Sequence, residues 1–411
     1  MFSALVLSDI HFVKPDLTDI DVELRNGLVR FLPTISKWFD PLTAILVCGD
    51  VAFRGTAIEY ASAQAFLADI LSPLGSPTVL VIPGNHDVDL TRADSAAQRA
   101  WRSTPRNEHL SESEREAELT KVLQEELSGT GLFEPLEAYN SFAATFGCEV
   151  KPSAPFWRRR LPIDARYSVE VRGLTSVLLS NSHDRKDRLV LGNFQLADLD
   201  FSDGVINVTM CHHPYNWLLD GEPQRHKIRH RSTLHITGHE HTFDLLIDPE
   251  VGSLHFCSGA LQPTRQQSWE PRLHALGLEV DESGSTPVVN VAVYSAIWSS
   301  VSDSFVQDFH ENYAVNVRLE QLASLPRREA PDQSQQRLVQ RLALLQSGDR
   351  LDVAKAISMD LGDLSEGMSY EIPKRVVQFA LDHGQLHKLW EEVHLRHGKQ
   401  AGETNPFRST Q

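Results

Sequence analysis

Cysteine is scarce. The 411 residues contain four, at positions 48, 148, 211 and 257, and none forms a CxxC pair. A disulfide scaffold is therefore not expected, and the four read as small buried hydrophobes of a reducing compartment. No apolar run reaches membrane-spanning length, and Met1-Phe2-Ser3-Ala4-Leu5 carries no basic stretch ahead of an apolar one. The expectation is a soluble, cytoplasmic protein. Positive charge is in deficit: 39 Lys and Arg against 55 Asp and Glu leave a net charge of −16. Such a surface disfavours non-specific binding to nucleic acid or anionic membrane. A nucleic-acid substrate stays open, because a metal centre brings its own positive charge. There are no repeats and no low-complexity tracts.

The residues present are informative where apolar runs stop. Leu5-Val6-Leu7-Ser8 leads into Asp9-Ile10-His11, and Ala44-Ile45-Leu46-Val47-Cys48 into Gly49-Asp50. Pro77-Thr78-Val79-Leu80-Val81-Ile82-Pro83 leads into Gly84-Asn85-His86-Asp87. Val205 to Cys211 leads into His212-His213-Pro214, and Leu234-His235-Ile236-Thr237 into Gly238-His239-Glu240-His241. Metal-ligand residue types at the carboxyl ends of several buried strands predict one shared site.

Strands at 4–9, 43–48 and 77–82 alternate with helices at 21–38 and 57–71, which predicts right-handed crossovers and a largely parallel sheet. Residues 91–147 predict a helical insertion, with helices near 92–102, 111–128 and 134–146. Strands are then expected at 167–171, 176–179, 205–211 and 233–237, with a short helix over 192–200. A long polar loop over 215–231 carries Trp217, Arg225, His226, Lys227, Arg229, His230 and Arg231. Strands at 242–248, 253–257, 272–281, 287–297 and 313–319 suit a second, largely antiparallel sheet packed on the first.

A linker is expected over 321–336. Helices follow near 335–347, 351–360, 372–383 and 385–397, a small domain over 337–397 with Leu338, Leu342, Leu345, Ile357, Val376, Phe379, Leu386 and Trp390 as its core. A disordered tail, 398–411, would close the chain.

In an extended strand, residues i and i+2 point the same way, so Asp9 with His11, and His239 with His241, can each grip one ion. Asp50 can bridge two ions, and Asn85 and His212 add an oxygen and a nitrogen. Seven O and N donors with no thiolate suit a pair of Mn, Fe, Zn or Ni ions and poorly suit a structural zinc site.

The ordered set D-x-H, GD, GNHD, HHP and GHxH resembles the calcineurin-like metallophosphoesterase superfamily over residues 1 to about 320. The forms GDVAFRG, GNHDVD and HHPYNWL are most similar to a bacterial branch, several members of which carry extra interaction or signalling domains. The resemblance implies an α/β fold: a four-layer α/β/β/α sandwich of two packed mixed sheets, here with a helical insertion and a C-terminal helical bundle. It implies that Asp9, His11, Asp50 and His241 hold one ion, and Asp50, Asn85, His212 and His239 the other. It makes His86 the catalytic histidine, assisting the leaving group after attack by a metal-activated hydroxide, with Asp87 orienting it. Arg54, where protein phosphatases of the superfamily keep a phosphate-binding arginine, and His213 are candidate substrate contacts. Phe53 in place of their Asp, and GNHD in place of GNHE, point away from that branch and towards phosphodiesters. Two other functions fit the pattern. One is a nuclease of a bacterial defence system guided by Arg225–Arg231. The other is a signalling or scaffold protein that recruits a partner through 337–397, where Tyr370–Val393 resembles the effector-associated modules of bacterial conflict systems. A plain structural cap would account for the same helices.

Overall fold

The computed structural model describes residues 1–14, 22–199, 204–248, 250–262, 270–283, 287–316, 338–339, 341–342, 345, 347–359, 372–397 and 407. The linker expected over 321–336, the tail expected from 398 and part of the helix expected over 335–347 lie outside these residues. The chain divides into two compact units, Met1–Leu322 and Ala323–Gln411.

The first unit holds twelve described strands in two six-stranded sheets. In the first sheet β1 (Phe2–Leu7), β2 (Ala44–Val47) and β3 (Thr78–Val81) are parallel, with Leu5 opposite Ile45 and Ile45 opposite Val79. On the other side of β1 lies antiparallel β10 (Arg272–Asp281), followed by β11 (Val288–Ser299) and β12 (Ser304–Asn316). The second sheet runs β4 (Trp157–Pro162), β5 (Ser168–Gly173), β6 (Val205–Cys211), β7 (Leu234–Thr237), β9 (Leu254–Ser258) and β8 (Phe243–Ile247). Its four inner strands are parallel, and the edge strands β4 and β8 are antiparallel to their neighbours.

Both sheets are mixed, as the family resemblance implies, which corrects the strand-pattern expectation of a largely parallel sheet covered by a largely antiparallel one. Strands β10–β12 join the first sheet, because β10 pairs with β1 across 270 residues of chain. Three smaller corrections follow. The strand expected at 176–179 is a turn, and the 215–231 loop is a 3₁₀ turn (Tyr215–Trp217) and a helix, α8 (Gly221–Arg231). Strand β4 was not anticipated, since Trp-Arg-Arg-Arg-Leu-Pro exposes three consecutive residues and shows no alternation.

Strands β1, β2, β3, β6 and β7 read as strands because their side chains are mostly apolar and enclosed on both faces. Leu5, Ile45, Leu80, Val169 and Ile236 are fully buried in one core between the sheets. Each such side chain contributes about 1.5–3 kcal/mol relative to exposure. Helix α1 (Val22–Trp38) buries Leu24, Leu28, Phe31, Leu32 and Ile35, the stripe its spacing predicts. Trp38 stacks on Tyr294 at 5.0 Å, and Phe31 meets Phe305 at 6.2 Å, so α1 lies on β11 and β12. Helix α2 (Ala57–Leu71) opens with Glu59 turned back to accept Thr56 N–H (3.0 Å) and Arg54 N–H (3.1 Å). Those two bonds start the helix and shape the loop after β2.

The insertion is helical throughout: α3 (Leu90–Ala93), α4 (Ala96–Ser103), α5 (Glu112–Gln124), α6 (Glu126–Phe133) and α7 (Glu137–Ala143), the last two joined by a 3₁₀ turn. Tyr139 and Trp157 both donate to Val81 O (3.0 and 2.8 Å), which fixes α7 and β4 to the end of β3.

In the second unit, α9 (Ser347–Ala356), α10 (Ile372–Asp382) and α11 (Leu386–His397) pack around Leu338, Leu342, Leu345, Ile357, Val376 and Trp390, with Phe379 and Leu386 at the margin. Gly384, at φ +64°, makes the break between α10 and α11.

Candidate metal centre and active site

The loops that follow β1, β2, β3, β6 and β7 meet at one end of the two sheets. Backbone bonds lace the first two together: Asp9 N donates to Gly49 O (3.1 Å), and Ile10 N and His11 N both donate to Asp50 O (2.9 and 3.0 Å). These residues are not extended. Asp9, His11 and Asp50 sit at φ 53°, 51° and 52°, and His239 at 64°. Non-glycine residues rarely adopt this left-handed conformation, and it concentrates at functional sites. The alternation argument for Asp9 and His11 is therefore corrected, because a tight turn and not a strand brings their side chains together.

Crowding requires glycine at two points. A Cβ on Gly49 would stand 2.5 Å from His212 Nδ1, and one on Gly84 would stand 2.2 Å from Asp50 Oδ1. The loops can close on each other only without those atoms.

Two subsets of side chains form. In one, His11 Nε2 lies 3.9 Å and His241 Nε2 3.6 Å from Asp9 Oδ1. The other Asp9 oxygen is already engaged by Ser8 Oγ (2.5 Å) and His239 N (3.2 Å). In the second subset, Asn85 Oδ1 lies 3.2 Å from His212 Nε2 and 2.9 Å from His239 Nδ1. Asp50 stands between them, with Oδ2 4.0 Å from His11 Nε2 and 3.3 Å from His212 Nε2. Oδ1 accepts His86 N–H at 2.8 Å. His212 donates Nδ1–H to Cys48 O (2.7 Å), which turns Nε2 towards the cluster.

Charge inside the cluster is balanced tightly. Burial works against ionised Asp50, yet His212 holds it well below the usual carboxylate range. Burial likewise opposes a charged His212, but Asp50 raises it to about 9. Burial lowers His11 to about 4. Asp9 Oδ1 and both ring nitrogens of His11 are buried with no hydrogen-bond partner. Unsatisfied donors of this kind are costly unless a cation completes them. The described residues offer four three-residue groups whose ligand atoms lie within 4.8 Å: Asp9–His11–His241, Asp9–Asp50–His212, His11–Asp50–His86 and His212–His213–His239.

His86 lies beside the cluster, 4.7 Å edge-on from the His11 ring and stacked on Phe53 at 5.2 Å. Its Nδ1 lies 2.9 Å from Phe53 O. Asp87 does not orient it, which corrects the expectation. The Asp87 carboxylate is fully occupied by Ala52 N (2.9 Å), Gly84 N (2.9 Å), Tyr60 OH (2.8 Å) and Val51 N (3.3 Å). It clamps the Asp50 loop to the Asn85 loop. Burial, with Asp50 nearby, raises it to about 6. Tyr60 and the Phe53 carbonyl are site elements that motif reading misses, since one lies on a helix and the other is main chain.

His213 is buried, its Nδ1 paired with Ser176 Oγ (2.8 Å) and its ring 4.4 Å from His239. Arg54 is exposed, its guanidinium 5.9 Å from the Phe53 ring centroid. The basic residues of α8 are engaged nearby: Arg229 with Asp248 and Glu250, Arg225 with Glu222, and Lys227 with Asn193.

The sequence profile of the calcineurin-like phosphoesterases matches residues 2–243. The chain belongs to the calcineurin-like phosphoesterase family. It is thus a phosphoester hydrolase of a metal-dependent family, and its Asp and His groups are candidate ligands. Solved structures similar to it include a purple acid phosphatase from yellow lupin (Lupinus luteus) seeds, 11% identical over 80% of this chain and 57% of that one, TM-score 0.42. A phosphatase from Mycoplasma pneumoniae is 10% identical over 78% and 96%, TM-score 0.33. A predicted phosphoesterase from Streptococcus pneumoniae is 11% identical over 76% and 97%, TM-score 0.29. No curated protein matches significantly. Among the described residues no helix is long and apolar enough to cross a membrane.

Proposed function

We propose that the protein is a phosphodiesterase working with two divalent ions. The observation that carries this reading is the place of Asp50, between Asp9, His11 and His241 on one side and Asn85, His212 and His239 on the other. The unpartnered Asp9 Oδ1 and His11 Nε2 supply the fit test: buried donors left open towards a common point suit cations. The donor set is oxygen and nitrogen, which suits Mn, Fe, Zn or Ni. When bound, two such ions polarise the phosphoryl oxygens and lower the pKa of water.

The chain's own residues do the rest. Asp50 neutralises charge at the centre. Ser8 and the His239 N–H fix one Asp9 oxygen and leave the other free. His86, with Nδ1–H donated to the Phe53 carbonyl, presents Nε2 to the substrate and protonates the departing alkoxide. Asp87 and Tyr60 hold the two loops that carry Asp50 and Asn85. None of the seven proposed ligands is a Lys or Arg, and Arg54, the candidate phosphate contact, is exposed. A singly charged diester asks for less positive charge than a doubly charged monoester, which supports diesters. Catalysis is assigned to residues 1–320, with 337–397 a separate helical domain open to a protein partner. Deleting 321–411 should then leave hydrolysis intact.

The test is hydrolysis of bis-p-nitrophenyl phosphate and p-nitrophenyl phosphate with Mn, alongside elemental analysis. Two ions per chain and faster turnover of the diester are expected. No turnover of either ester with metal bound would sink the enzymatic reading, and preference for the monoester would sink the diester part.

A further inference from the structure

One polar segment borders the centre: Asn181-Ser182-His183-Asp184-Arg185-Lys186-Asp187-Arg188, whose three cations outnumber its two carboxylates by one. Its ends are pinned from two sides. Arg106 of the insertion donates from Nε to Arg188 O (3.0 Å), from Nη1 to Leu179 O (3.1 Å) and from Nη2 to Asp184 Oδ1 (2.8 Å). Opposite, Asp187 N donates to Asn216 O (3.1 Å), and Arg188 N and Leu189 N donate to Trp217 O (3.2 and 3.0 Å). The segment is therefore built into the rim, alongside the HHPYNWL stretch.

Part of its charge is used locally. Asp184 is paired with Arg106, and Arg188 with Glu108. Arg185 is exposed and forms no ion pair among the described residues. Lys186 Nζ reaches Glu240 Oε1 at 3.5 Å, and Asn216 Nδ2 donates to the same oxygen at 3.3 Å. Glu240 stands between His239 and His241. A lysine and an amide thus converge on one carboxylate oxygen at the edge of the centre. The Lys186 side chain is 58% exposed, and an exposed pair at this separation is weakly held. A phosphate is a stronger acceptor for the same donors.

We infer that Lys186 and Asn216 form a subsite for a second phosphate of the substrate, with the Glu240 carboxylate as its resting occupant. The insertion holds the subsite in place through Arg106. The substrate class is a nucleotide with phosphates on both sides of one sugar, the scissile diester and a neighbour. This rests on the phosphodiesterase reading.

The experiment compares thymidine 5′-(p-nitrophenyl phosphate) with and without a 3′-phosphate. Wild type should favour the 3′-phosphorylated ester about tenfold in kcat/KM, mostly through KM, as expected for rim charges a few ångströms away. Lys186→Ala with Asn216→Ala should bring that ratio to about one, and Arg106→Ala should lower it. A ratio unchanged in the double variant overturns the subsite. Calorimetric binding of thymidine 3′,5′-bisphosphate against thymidine 5′-phosphate separates the two ideas. A wild-type preference for the bisphosphate that the double variant loses supports the subsite even if neither ester turns over. Equal preferences in wild type and variant overturn it.

Discussion

The two sheets meet at one centre but bring different chemistry to it. The first supplies Asp9, His11, Asp50 and Asn85: both carboxylates, the amide and one imidazole. The second supplies His212, His239 and His241, all imidazoles. The first sheet's loops are laced by main-chain bonds, and three of its four residues sit at left-handed φ. The second sheet's groups are tied across the gap, His212 to Cys48 O and His239 N to Asp9 Oδ2. One sheet thus provides negative charge on a rigid frame. The other provides imidazoles whose position depends on how the sheets are joined.

Four substitutions, with His239→Ala as the comparison for the first, probe that division. Asp50→Asn should have the largest effect, a loss of about four or more orders of magnitude in kcat/KM, because the shared charge goes. Elemental analysis should show fewer than two ions per chain. If His239→Ala lost as much, the asymmetry between the sheets would be broken. Next, His86→Ala should lower kcat by roughly 10²-fold with metal content unchanged. A loss of metal would instead make His86 a ligand.

The third concerns the joint between the sheets. His274 of β10 donates Nε2–H to Ser258 O of β9 at 2.9 Å and packs on Phe243 and Phe256. Burial lowers its pKa to about 3. Below about pH 6.5 the unfolded chain takes up this proton and the folded chain does not, so the contribution is full above pH 6.5 and is lost as pH falls towards 3. Denaturant unfolding of metal-free protein should show His274→Phe reducing the pH slope in that window by up to about 1.4 kcal/mol per unit. An unchanged slope would mean His274 is not held neutral. The smallest effect is expected for Phe53→Leu. It removes the ring beneath His86 but keeps the carbonyl, and roughly a three- to tenfold fall in kcat is expected.

The sequence made the local features of this arrangement legible and the non-local ones not. Helix α2 lies over Ala57–Leu71 as its pattern predicts, since its apolar face and Glu59 start signal are contained in one stretch. The convergence of Asp9, Asp50, Asn85, His212 and His239 follows from strand ends and needs no knowledge of pairing. The placing of β10–β12 depends on Leu5 meeting Ala275, and no periodicity reports which sheet a strand joins. Helix α8 was hidden because only Gly221, Gln224 and Ile228 of its eleven residues are buried. The role of Asp87 was misread because sequence adjacency to His86 says nothing about direction, and its carboxylate turns back to Ala52, Gly84 and Tyr60.

The partner of His86 is a main-chain carbonyl. Were the acceptor a side chain, a single codon change could remove it. Here no codon at position 53 can do so, because every residue brings the same C=O. The orientation of the histidine is therefore insulated from point mutation, and position 53 is left free to drift in side chain. Variation there is expected to tune the enzyme and not to silence it.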